Sequence, residues 1–145
     1  MKEGKVKSFL KQFMDWAQGK PDILAVALVG SYARGEARTD SDLDLVIISS
    51  CAEQYTADLS WTATFGEVNH QELEDYTRLT SARVWYADGL EVEYDITDEG
   101  WADLPLDEGT RQVISDGMVV LFEQGDLLSR HLGNVGQGKT VKPLA

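Results

Sequence analysis

The sequence predicts an α+β domain: a small, mixed, twisted β-sheet with helices packed mainly against one face. Three observations lead there. An amphipathic helical pattern opens the chain, two apolar runs of strand length follow it, and further on two β-rich segments flank an Asp-Gly dipeptide.

Val6, Phe9, Leu10, Phe13, Met14, Trp16 and Ala17 recur at helical spacing, which predicts a first helix of about four turns ended by Gly19-Lys20-Pro21. Ile23–Val29 is a continuous apolar run that stops at Gly30, the pattern of a strand buried on both faces. After a polar connection, Leu43–Ile48 starts with an acidic residue and becomes wholly apolar, giving a second strand. A helix over 52–61 and a strand over Phe65–Val68 are weaker expectations. Thr77–Ala87 and Leu90–Thr97 read as an antiparallel pair, with Asp88-Gly89 supplying positive φ angles for a tight turn. Two further helices are expected around 99–104 and 108–115, then a short apolar run at Met118–Phe122. Residues 1–132 are read as one domain and 133–145 as a flexible tail.

Composition narrows the function classes. With 145 residues the chain fits one domain, and 43% hydrophobic with 26% charged residues is ordinary for a globular protein. No stretch approaches the ~20 apolar residues needed to cross a bilayer, and the first residues lead into an amphipathic pattern, so a cytoplasmic location is expected. Cys51 is the single cysteine, which excludes an internal disulfide and a cysteine metal cluster, and is expected to be buried. A net charge of −12 opposes binding to a long nucleic acid, because that affinity comes from clustered Lys and Arg. The same acidity suits a cationic small molecule or a basic protein.

The chemistry is concentrated between the two apolar strands. Gly30-Ser31 is followed, ten residues later, by Asp42-Leu43-Asp44 at the start of the second strand. Side chains alternate along a strand, so Asp42 and Asp44 project from one face about 7 Å apart, near enough to share divalent cations. Mg2+ prefers oxygen ligands and keeps positions for water and phosphate, so two such aspartates suit a metal–nucleotide complex. Gly30 permits close backbone approach, and Ser31–Arg34 can start a short helix whose N–H groups face phosphate oxygens. Arg34 and, less so, Arg38 are candidate phosphate contacts; Asp40 reads as a turn residue. His70 and His131 lack metal-ligand spacing, and Trp16, Trp61, Trp85 and Trp101 read as core or groove lining.

The segment from Gly30 to Ile47, including Ala33-Arg34-Gly35 and Ser41-Asp42-Leu43-Asp44, resembles the nucleotidyltransferase superfamily that includes DNA polymerase β, and its small bacterial members above all. Strand order and hairpin extend a weaker resemblance to about residue 97. The resemblance implies that Gly30 and Ser31 bind nucleotide phosphates, that Asp42 and Asp44 ligate metals in a two-Mg2+ site, and that a later strand supplies a third carboxylate. In Leu90–Ile96, Glu91, Glu93 and Asp95 share one face. The family pattern of an acid between apolar neighbours favours Glu93 over Glu91, with Asp95 as runner-up, although the family more often has aspartate there. The expected activity is transfer of a nucleoside monophosphate, AMP from ATP or another NTP, to a hydroxyl of a small-molecule or protein acceptor. Alternatives are an antitoxin-type partner that adenylylates or masks a helical toxin, and a nucleotide-binding module without turnover. A homodimer is a further expectation for so small a domain.

Overall fold

The computed structural model describes residues 2–35, 42–76, 79–98 and 118–124. Helix α1 (Lys2–Gln18) leads into strand β1 (Ile23–Val29), a one-turn helix α2 (Gly30–Ala33), β2 (Leu43–Ser49), α3 (Ala52–Ala57), a 3-10 helix (Ser60–Phe65), and then β3 (Val68–Asp75), β4 (Thr80–Tyr86), β5 (Glu91–Thr97) and β6 (Met118–Glu123). The described strands form one mixed sheet in the order β3-β4-β5-β2-β1-β6. All neighbours are antiparallel except β2 and β5, which run parallel.

Alternation along the strands divides the sheet into two faces of different character. Leu43, Leu45 and Ile47 of β2 and Val92, Tyr94 and Ile96 of β5 join the buried residues of α1 in one core. Helix α1 contributes Val6, Phe9, Leu10, Phe13, Met14 and Ala17, the i, i+3, i+4 and i+7 stripe that the sequence displays. Burial of each large side chain contributes about 1.5–3 kcal/mol. Rings interlock there, with Trp16 stacked on Trp61 at 5.5 Å and Trp61 edge-on to Tyr94 at 4.8 Å. Tyr55 of α3 and Phe65 of the 3-10 helix pack against the same core, so the described helices lie on one face. The opposite face carries a smaller apolar cluster built on Ala25, Ala27, Val29, Val46 and Ile48, and beside it the acidic residues of β2 and β5.

Several local expectations change. Residues 52–61 do not form one helix: the chain is extended at Asp58, whose carboxylate accepts the Ser60 N–H at 2.9 Å and so starts a second, 3-10 segment. Phe65 ends that 3-10 helix and does not belong to a strand; its ring faces Phe9 and Phe13, and Gly66 at φ 156° releases the chain into β3. The residues of β3 from Asn69 onward are exposed on both faces, so apolar patterning gives no sign of this strand. At the hairpin only Gly89 has positive φ, at 95°. Tyr86 N–H bonds Leu90 C=O at 2.9 Å and Gly89 N–H bonds Tyr86 C=O at 3.0 Å, so the loop is the three residues Ala87-Asp88-Gly89 and not a two-residue turn. Cys51 is half-exposed and not buried. The expected helices at 99–104 and 108–115, the tail, Arg38, Asp40, Trp101 and His131 lie outside the described residues. No helix among the described residues is long and apolar enough to cross a membrane.

Candidate active site

The site forms where β1 ends and β2 and β5 begin. Parallel pairing sets Asp44 beside Glu93 and Leu43 beside Val92. In-register neighbours on adjacent strands stand about 4.8 Å apart and share a face. This pairing, between strands far apart in sequence, brings Glu93 to the two aspartates. Asp42, Asp44 and Glu93 each offer a carboxylate oxygen, and the three oxygens lie within 4.8 Å of one another. Of the two other acids considered, Glu91 instead bonds Arg83 at 2.7 Å. Asp95 lies deeper and accepts a short hydrogen bond from Ser81 Oγ.

The group is electrostatically strained. Burial first, then the neighbouring charges of Asp42, Glu93 and Asp95, pushes the Asp44 carboxyl up to about 8. Its Oδ1 is buried without a hydrogen-bond partner among the described residues. Burial and the charge of Glu93 push Asp95 up to about 7, against the hydrogen bond from Ser81 and the positive charge of Arg83. Buried polar atoms are normally satisfied. An orphaned oxygen, a carboxyl that burial and like charge disfavour as an anion, and converging hard oxygen donors together fit a divalent cation such as Mg2+.

Gly30 stands against this group. Val29 pairs with Asp44 across β1 and β2, and Gly30 turns the chain out of the sheet with φ 76°. A Cβ at Gly30 would lie 2.2 Å from Asp44 Oδ2. Glycine therefore serves both backbone conformation and clearance for the carboxylate. Helix α2 starts here with no side-chain cap, leaving the N–H groups of its first turn without a cap of that kind. Ser31 is half-buried, while Arg34 is exposed at the far end of the turn.

Sequence reasoning missed Arg83, which reaches Glu91 at 2.7 Å, Glu93 at 2.8 Å and Asp42 at 3.5 Å. A signal existed. Ala82, Val84 and Tyr86 are the apolar half of β4, so Ser81, Arg83 and Trp85 must face the other way, and the hairpin register sets Arg83 opposite Glu93.

A mixed sheet thus sets three clustered carboxylates beside a Gly-Ser turn. Residues 7–97 match the nucleotidyltransferase domain, and the chain belongs to that family. Among solved structures it is similar to an aminoglycoside 6-adenyltransferase from Bacillus subtilis, at 15% identity and a TM-score of 0.54, over 66% of this chain and 36% of that chain. At that identity the likeness is one of fold, and well under half of that chain has a counterpart here. Comparison with curated protein sequences gives no match.

Proposed function

We propose that the enzyme transfers a nucleoside monophosphate, AMP from ATP, to a hydroxyl group, the new bond forming at the α-phosphorus as pyrophosphate leaves, with Mg2+ held by Asp42, Asp44 and Glu93. The observation that carries this reading is the convergence of those three carboxylates beside Gly30, with one Asp44 oxygen unsatisfied among the described residues. Mg2+ in such a site neutralises charge on the transferring phosphoryl group and orients the triphosphate. The chain's own part is positional. The Gly30 backbone and Ser31 face the phosphates at the open end of β1, and Arg34 is a second phosphate contact at the rim.

The acceptor is proposed to be cationic. The chain carries a charge of −12, and the sheet continues from Glu91 towards the exposed Glu72 and Glu74 of β3. A cationic small molecule or a basic protein is attracted to such a face.

Calorimetry of a non-hydrolysable ATP analogue, with and without Mg2+, tests the core of the reading. Binding that needs Mg2+ and disappears in the Asp42→Asn, Asp44→Asn double variant is expected. Equal binding by that variant would refute the assignment.

A further inference from the structure

Arg83 has a geometry that the phosphate-transfer reading does not itself require. Its guanidinium lies between the carboxylate trio and Glu91, which is outside the trio. Nη1 donates to Glu91 at 2.7 Å, and Nη2 donates to Glu93 Oε1 at 2.8 Å. The root of the side chain is fixed, because Ala82 and Val84 on either side are fully buried in the core. One oxygen of Glu93 is thus held by a cation anchored from the far side.

We propose that Arg83 is a positioning residue whose hold on Glu93 Oε1 would leave Glu93 to serve the metal through its other oxygen alone, and thereby sets a preference for Mg2+ over Ca2+. The inference rests on the assignment of Asp42, Asp44 and Glu93 as the metal site. Ca2+ takes about 6–8 oxygens and readily uses both oxygens of one carboxylate, whereas Mg2+ is smaller, near-octahedral and served by single oxygens and water. Occupying Oε1 removes a donor that Ca2+ would use and Mg2+ would not. Arginine suits the task because its planar fork bridges two carboxylates at fixed geometry, which the single ammonium of lysine does not reproduce.

Charge and geometry separate cleanly. Both ions are divalent, so losing the Arg83 charge alone raises both affinities alike. Only release of the carboxylate oxygens that Arg83 holds, Glu93 Oε1 at 2.8 Å and more loosely Asp42 Oδ2 at 3.5 Å, changes their ratio.

The test uses Mn2+ as a paramagnetic probe of the full chain, displaced by Mg2+ or Ca2+, in the wild type, Arg83→Met and Glu91→Gln, with circular dichroism to check folding. The ratio of Ca2+ to Mg2+ affinity should rise about tenfold in Arg83→Met, the scale on which partners of metal ligands act. Glu91→Gln, which loosens the anchor, should shift the ratio in the same direction by less. A parallel rise in both affinities at constant ratio would overturn the proposal, because Arg83 would then act through charge alone. Should Arg83→Met not fold, Glu91→Gln decides, and an unchanged ratio there overturns it. A wild type whose Mn2+ binding survives the Asp42→Asn, Asp44→Asn double variant removes the underlying assignment instead, independently of any Arg83 result.

Discussion

Gly30→Ala probes the narrowest point of the site. The new methyl would stand 2.2 Å from Asp44 Oδ2 and 3.2 Å from its Cγ, where ordinary contact begins near 3.4 Å. The carboxylate must therefore retreat by about 1 Å, the scale of displacement that costs about a hundredfold in a catalytic constellation. A left-handed backbone at a non-glycine residue adds about 1–2 kcal/mol, and forcing Asp44 off its rotamer adds about 1 kcal/mol. The sum of about 2–3 kcal/mol corresponds to a fall in Tm of about 5–10 °C for a chain this size. Thermal melts read the stability, and calorimetry of the Mg2+–ATP analogue reads the site, where affinity should fall at least tenfold. The measurement that isolates the contact is the cycle with Asp44→Ala. In that background the carboxylate is gone and Gly30→Ala should cost only the backbone part, about 1–2 kcal/mol. An equal cost in both backgrounds would refute the idea that Gly30 is required by Asp44.

The metal-free protein should lose stability as pH rises, because Asp44 at about 8 and Asp95 at about 7 lie above the unfolded value of 3.8. Their favourable contribution is complete below about pH 4 and is lost as pH climbs through 7 to 8. In metal-free melts at pH 8.5, Asp44→Asn should exceed wild type by about 1–3 kcal/mol, a figure reduced for partial solvent screening. The two should converge near pH 4, and a constant difference across pH would contradict the strain assigned to Asp44. Tyr86→Phe removes the donor to Thr62 C=O at 2.8 Å and the partner of the Tyr94 hydroxyl at 2.7 Å. Melts should show a loss of about 1–3 kcal/mol, with nucleotide affinity unchanged because the pair lies on the helical face of the sheet. Asp22→Ala leaves Ser49 Oγ and Tyr55 Oη, now 2.8 Å and 2.6 Å from the carboxylate, without their acceptor. Urea denaturation should register about 1–3 kcal/mol, again with the site unaffected.

The parts of the molecule legible in sequence are those fixed by local pattern. The α1 stripe, the apolar β1 and the Asp42-Leu43-Asp44 entry into β2 each carry their own period, and each forms with close to the expected bounds. Glu93 was favoured among three acids on a face by the family pattern alone; its place beside Asp44 comes from the β2–β5 register, a contact between segments about fifty residues apart. Strand β3 was illegible because Asn69 to Asp75 are exposed on both faces, and a strand held mainly by backbone bonds to β4 leaves no alternating apolar pattern. The break at Asp58 follows from a side chain competing for a backbone N–H, which periodicity does not register.

The sheet ends at β3 among the described strands, and that end is acidic: Glu72, Glu74 and Asp75 stand along it, exposed. An open edge is a template onto which another β-strand can add. For a second copy of this chain pairing antiparallel with Glu72 opposite Glu74, carboxylate meets carboxylate at short range, where like charges directly opposite are repulsive. Registers that set Glu72 against Glu74 are thereby disfavoured along this border. Neutralising the border by low pH or by glutamine substitution removes this repulsion, and self-association through β3 becomes the foreseeable failure of a variant engineered to be less acidic.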